Sequence, residues 1–268
     1  MFKRKQKPQN FNEYFHSCSA ETRSAMLNFM SKYGDPEEIS AQLLALTPIH
    51  LSKKVDVRIN ERFLLWYDKE TLLSKANVYL FETGTLDYCY HISEGVCGKV
   101  GIIRSTGDHF FRNLDATDTV PIFRGLRQYI RGFDRLSTMP PSDEPFQLSQ
   151  RDDCGFYYLL GNQLRHKRFG LFKDNDTLIF DNIQNIIWCD QYFHSDGDTT
   201  VYGLEVYAVG LKRPEKLFLN SNEEAFQCVL ELKKRVPHLI YGPNEEYKQL
   251  FKKDPTQLMS IAKDQLQS

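Results

Sequence analysis

Four basic residues, Arg165, Lys167, Arg168 and Lys173, form a grouping on a strand pair and its turn that could do chemistry with an anion. Arginine presents a planar fork of donors and lysine a compact charge, so a strand pair and turn carrying both could hold a phosphate or carboxylate. Asp174 and Asp176 lie in the same turn and would repel such a ligand. A solvated charged face on an alternating strand also accounts for the pattern. The corresponding stretch earlier in the chain, Asn60-Glu61-Arg62 and Lys69-Glu70, is mixed in sign. A second basic cluster, Lys3-Arg4-Lys5 with Lys7, sits beside Phe2. It could touch an anionic membrane, each cation adding about 1 kcal/mol near the surface, or simply solubilise the chain end. Phe2 stands where myristoylation needs glycine.

Signatures of catalysis are missing from the sequence. No Gly-x-Ser-x-Gly exposes a nucleophile, and no glycine-rich loop joins a strand to a helix to cradle phosphate. His109 and His166 stand alone, without a His-x-x-x-His pair. Cys89 and Cys189 end apolar strands and read as small buried hydrophobes. The richest polar cluster, Asp190 to Thr199, offers Asp190, His194, Asp196 and Asp198, yet lacks the ordered oxygen spacing of a calcium loop. It reads as a long hairpin tip, and whether it binds a metal stays open. No acid is flanked by enough apolar sequence to suggest a raised pKa. No catalytic residue, metal ligand or cofactor is expected.

The elements that would position these groups come from an internal repeat. Arg62-Phe-Leu-Leu-Trp-Tyr-Asp-Lys-Glu-Thr-Leu-Leu73 aligns without gaps on Arg168-Phe-Gly-Leu-Phe-Lys-Asp-Asn-Asp-Thr-Leu-Ile179. Each half reads as an alternating strand, a turn at Asp68 or Asp174, an apolar strand (Val78–Phe81, Ile183–Trp188), later strands and a closing helix. The first helix has Thr117 or Asp118 as cap and Pro121 in its first turn. The second has Ser221 or Asn222 as cap, acids at its start and Lys233-Lys-Arg235 at its end. Residues 1–46 hold a tail and helical segment, including a helix from Phe11 to Lys32 ended by Gly34 and another from Pro36. Repeat one covers 47–135, and 136–150, with Pro140, Pro141 and Pro145, reads as a semi-rigid linker. Repeat two covers 151–243, and 244–268 form a helical tail.

Short meandering strands closed by a helix give an α+β, mainly β, fold class. The run from Arg168 to Tyr241, with Asp181-Asn-Ile-Gln-Asn-Ile-Ile-Trp188 and Leu232-Lys-Lys-Arg-Val-Pro-His-Leu-Ile-Tyr-Gly242, resembles bacterial pleckstrin-homology-like (PH-like) domain proteins. That resemblance implies two bent antiparallel sandwiches or barrels, each plugged by a C-terminal helix. In phosphoinositide-binding relatives of the fold, basic residues of the first strand pair hold headgroup phosphates, which implies Arg165, Lys167, Arg168 and Lys173 here.

The 268 residues carry 34 basic and 35 acidic side chains, so no global field favours nucleic acid. Without an apolar signal, a bilayer-length run or a Cys-x-x-Cys, the chain reads as cytoplasmic with reduced thiols. The expected function is non-catalytic: a binding or scaffold protein engaging a protein or peptide partner. The alternative is a peripheral membrane binder using the basic strand pair of the second repeat.

Overall fold

The computed structural model describes residues 8, 10–71, 75–152, 155–170, 174–196 and 199–267. Three helices come first: α1 (Phe11–Ser17), α2 (Ala20–Met30) and α3 (Pro36–Ala45). The single helix expected over 11–32 is broken at Cys18, because Ser19 starts a new helix by accepting the N–H of Thr22 at 3.2 Å. Four antiparallel strands follow in hydrogen-bonded order: β1 (Pro48–Leu51), β2 (Val55–Ile59), β3 (Phe63–Asp68) and β4 (Asn77–Glu82). A 3-10 turn at Thr83–Thr85 leads to β5 (Leu86–Glu94), β6 (Cys97–Arg104), β7 (His109–Asp115) and the helix α4 (Ala116–Arg127).

The order then recurs. Strands β8 (Phe146–Gln147), β9 (Gly155–Leu160), β10 (Gln163–Arg168) and β11 (Asn175–Phe180) make a second four-stranded antiparallel sheet. A 3-10 turn at Ile183–Asn185 leads to β12 (Ile186–Asp196), β13 (Thr199–Ala208), β14 (Glu215–Leu219) and α5 (Asn222–Arg235). The short β15 (Ile240–Tyr241) and helices α6 (Glu245–Lys253) and α7 (Pro255–Gln267) complete the chain. The class is α+β; the sheets are open, and among the described residues no barrel closes. No helix is long and apolar enough to cross a membrane. The ends of the gapless alignment stand at different places along their strands: Arg62 precedes β3, whereas Arg168 ends β10. Asn175 and Asp176, expected in a turn, lie within β11.

Two compact units divide the chain: 1–89, 102–110 and 117–131 make the first, and 90–101, 111–116 and 132–268 the second. In the first, β2 is buried along its whole length and β3 along all but its last residue. One face packs Phe63, Leu65 and Tyr67 against Phe11 and Phe15 of α1, Met30 of α2, and Ile39 and Leu43 of α3. The other carries Trp66, whose ring meets Phe110 edge-on at 5.4 Å. Asp56 is fully buried in β2; it accepts the N–H of Phe11 at 2.7 Å and the Nε–H of Arg58 at 3.0 Å, tying α1 to the sheet. Helix α4 starts earlier than expected, because β7 runs straight into it and Ala116 donates to the Val96 carbonyl. Pro121 is then inside the helix, and Asp118 pairs with His50 of β1 at 2.8 Å.

In the second unit, α5 packs on β12, β13 and β14. Ser221 caps it, accepting the N–H of Glu224 at 3.1 Å, while the Glu224 carboxylate takes the N–H groups of Asn220 and Gln150. Cys228 donates its thiol to the Leu148 carbonyl at 3.2 Å. Segment 136–150, read from its prolines as a linker, thus contributes β8 and ties to the closing helix. Strand β12 pairs with β13 on one side; its other edge pairs in parallel with β15 at Trp188 and Cys189 and with β5 at Gln191 and Tyr192. The Tyr241 hydroxyl locks that edge: it donates to Gln191 Oε1 at 2.6 Å and accepts the N–H of His91 at 3.2 Å. Tyr241→Phe removes the donor to the buried Gln191 oxygen without changing shape, an expected loss of about 1–3 kcal/mol. Urea denaturation checks this as a lower midpoint, and hydrogen exchange as faster loss of the His91 amide proton.

Candidate functional site

The predicted basic group does not converge. Alternation along β10 places Arg165 and Lys167 on one face and His166 and Arg168 on the other. Arg165 Nε lies 3.1 Å from Asp176, and Lys167 lies 3.7 Å from Asp174. The Tyr158 hydroxyl donates to Asp176 at 2.6 Å; with Arg165 it holds that carboxyl below the usual range. Arg168 instead donates from Nε to His166 Nδ1 at 3.2 Å, above a ring stacked on Tyr157 at 4.1 Å. With Asp152, Ser149, Phe218 and Asn220 these two residues line a hollow of about 390 Å³. Lys173, the Lys3–Lys7 cluster and Asp198 lie outside the described residues.

The stretch expected as a hairpin tip, Asp190 to Thr199, is mostly strand: β12 runs to Asp196 and β13 resumes at Thr199. Asp190 therefore sits in the middle of the sheet. Its sequence signal was the run Ile186-Ile-Trp-Cys189 before it, a buried apolar strand segment ending on an acid, as Phe63–Asp68 also does. Register sets Asp190 directly opposite Glu205 of β13, and Glu205 opposite Lys216 of β14. One face of the sheet thus carries a row of acid, acid and base across three strands.

This row opens into a cleft of about 520 Å³ in the second unit, rimmed by Ser93 and Gly95 and by Tyr192, His194, Phe218 and Lys248. Glu205 is already engaged: the Tyr207 hydroxyl donates to it at 2.8 Å and Lys216 lies 3.5 Å away. Lys248 of α6 pairs with Glu245 at 3.2 Å. Tyr192 folds over Gly203, where a Cβ would come within 2.8 Å of its hydroxyl oxygen. Lys216 stands 5.0 Å above the Tyr192 ring, a cation–π distance.

Two polar atoms in this cleft are buried without a hydrogen-bond partner: Asp190 Oδ1 and the Tyr192 hydroxyl. Asp190 is only 3% exposed. Burial pushes its carboxyl up to about 7; Lys248 opposes the rise and Glu205 adds to it. Burial and Glu205 push the Tyr192 phenol up to about 12, so it keeps its proton. Burial chiefly raises the thiols of Cys189 and Cys228, with Asp190 adding to the first and Glu224 and Glu231 to the second, and His91 is driven down to about 4 by burial and by Lys248. The arrangement can accept or donate at Asp190 near neutral pH, and it holds a hydroxyl one strand repeat away on the same face.

Among the described residues no group of three or more His, Cys, Asp and Glu is placed to hold a metal. The His50–Asp118 pair has the form of an oriented imidazole, but among the described residues no Ser, Thr or Cys side chain hydrogen-bonds to it. It joins β1 to α4. No family model matches the chain, and no curated protein sequence matches it.

Asp190 also makes stability depend on pH with a fixed sign. Its folded pKa lies above the usual 3.8, so between that value and about 7 the folded chain holds a proton that the unfolded chain has released. Stability from this group falls as pH rises through that window and is flat above it. At about 1.4 kcal/mol per pH unit, the loss is about 4 kcal/mol. Asp190→Asn is expected to be more stable than the parent at about pH 8 and to lack this slope, read by urea melts across the range. Cysteine labelling gives a second check. The exposed Cys97 is expected to react at once, with Cys189 and Cys228 reacting only on unfolding.

Proposed function

We propose that the chain is a non-catalytic binding protein built from two PH-like modules, and that a peptide segment of a protein partner docks at the cleft of the second unit. The observation that carries this reading is the pair of unpartnered buried atoms, Asp190 Oδ1 and the Tyr192 hydroxyl, on residues lining an open cleft. Buried polar groups are nearly always satisfied, so these two suit a ligand that supplies the missing hydrogen bonds. Phe218 at the rim is 58% exposed and offers an apolar anchor beside the polar floor. The twofold series of four strands, a 3-10 turn, three strands and a helix supports the PH-like and duplicated reading. The membrane alternative draws less support, since Arg165 and Lys167 face Asp176 and Asp174 and Arg168 projects from the opposite face.

Selection of a displayed peptide library on the immobilised full chain tests this. Binders are expected, and Phe218→Asp is expected to weaken them by roughly tenfold or more, as loss of an interface anchor does. No enriched peptide, or peptides indifferent to Phe218→Asp, overturns the reading. Co-sedimentation with anionic vesicles at physiological salt is expected to fail. Vesicle binding lost in Lys167→Glu/Arg168→Glu protein would make the chain a membrane module instead.

A further inference from the structure

We propose that the cleft of the second unit receives a basic side chain of the partner peptide, an ammonium or guanidinium that pairs with Asp190 Oδ1 and Tyr192, and that this makes docking pH-dependent. The inference rests on the docking reading above and names its ligand chemistry. It follows from the charge balance of the floor. Glu205 is matched by Lys216 and by the Tyr207 hydroxyl, and Lys248 is matched by Glu245. What is left over is one buried carboxyl oxygen. Ionised, it needs a cation that the cleft does not itself deliver to it; Lys248 lowers its pKa from a distance but forms no ion pair with it.

A ligand carboxylate or phosphate fits poorly, because it would meet Asp190 and Glu205 side by side on paired strands. A cation meets the opposite situation. It gains a charge-assisted bond in a place screened from water. It also passes the exposed ring of Phe218, which lines the same cleft and favours positive charge over its face. The volume of about 520 Å³ accommodates a lysine or arginine side chain together with neighbouring peptide backbone.

Protonation sets the switch. Near pH 6 Asp190 is mostly neutral and offers a cation little; near pH 8 it is mostly ionised. The ionised fraction rises from about a tenth to about nine tenths over that interval, so binding should tighten about tenfold. The charged and titratable groups facing Asp190 are Glu205 and Tyr207 from β13, Lys216 from β14 through Glu205, and Glu245 and Lys248 from α6. His194, further along β12, lines the cleft and must be controlled for.

The test is a nuclear magnetic resonance titration of the full chain with acetyl-Gly-Arg-Gly-amide, acetyl-Gly-Lys-Gly-amide, acetyl-Gly-Glu-Gly-amide and free agmatine, at about pH 6 and pH 8. Both basic peptides are expected to shift resonances of β12 to β14 and to bind about tenfold tighter at the higher pH. The glutamate peptide should not bind. Asp190→Asn should weaken binding by roughly tenfold or more and flatten the pH step, while His194→Asn should keep that step. Several results would sink the proposal: no shifts from either basic peptide, equal affinity at both pH values in the parent chain, loss of the step in His194→Asn, or preference for the glutamate peptide. Agmatine binding tighter than the arginine peptide would overturn the peptide source of the cation. Library-selected peptides that depend on Phe218 but carry no basic residue and show no pH step would overturn this inference alone, leaving the docking site standing.

Discussion

Adjacent residues of a strand point to opposite sides of its sheet, and on β12 the two in question are Asp190 and Gln191, both removed from water. That constraint organises the second unit. Gln191 faces the closing helix, where its amide donates to the Asn222 carbonyl at 2.9 Å and its oxygen accepts from Tyr241. Every demand made by its burial is met within the chain, and the answer fixes α5, β15 and β5 around one strand. Asp190 faces the other way and has no such answer for one of its oxygens. The same strand thus supplies a structural polar core on one side and a buried, unpaired carboxyl oxygen on the other.

The cover over the second side explains why the cleft is where it is. Trp188 stacks on Tyr207 at 4.1 Å, and Tyr247, Phe251 and Leu258 of α6 and α7 pack around that pair. This cover extends over the Trp188 end of β12; two residues further along, the sheet opens at Asp190 and Tyr192. Helix α6 therefore borders the cleft through Lys248 as well as helping to bury the strand beneath it. In the first unit, helices α1 to α3 take up the face of β2 and β3 instead, and a buried Asp56 finds partners in Phe11 and Arg58. Two buried strand aspartates in one chain thus differ only in what the neighbouring segment brings to them.

Much of the architecture was legible from local signals. Ser221 with Glu224, Asp35 before Pro36 and Asn244 before Glu245 mark helix starts by capping chemistry that depends on a few consecutive residues. The break at Cys18 was equally local, yet its Ser19-to-Thr22 cap was outweighed by an apolar pattern that spans it. The site was less legible. Asp190, His194 and their neighbours looked like turn formers, because aspartate, serine and glycine in sequence carry the same signal whether a tip is two residues long or ten. What makes Asp190 unusual is its register against Glu205, and pairing register is set by contacts far apart in sequence. Lys248 and Lys216 reach the same cleft from α6 and β14, and no spacing along the chain announces that.

The ion pairs on β10 and β11 have a meaning apart from any ligand. Strand β11 is the outer member of its sheet, bonded to β10 alone, and its first four residues are exposed. A bare edge of this kind is a template on which another extended chain can add, and natural proteins guard such edges with charge. Asp174 and Asp176, tethered by Lys167 and Arg165, set fixed charges along this one. Neutralising those acids would leave Thr177, Leu178 and Ile179 as an unguarded strip. Residues that read as a diluted anion site place, on this edge, the kind of charge that blunts strand addition.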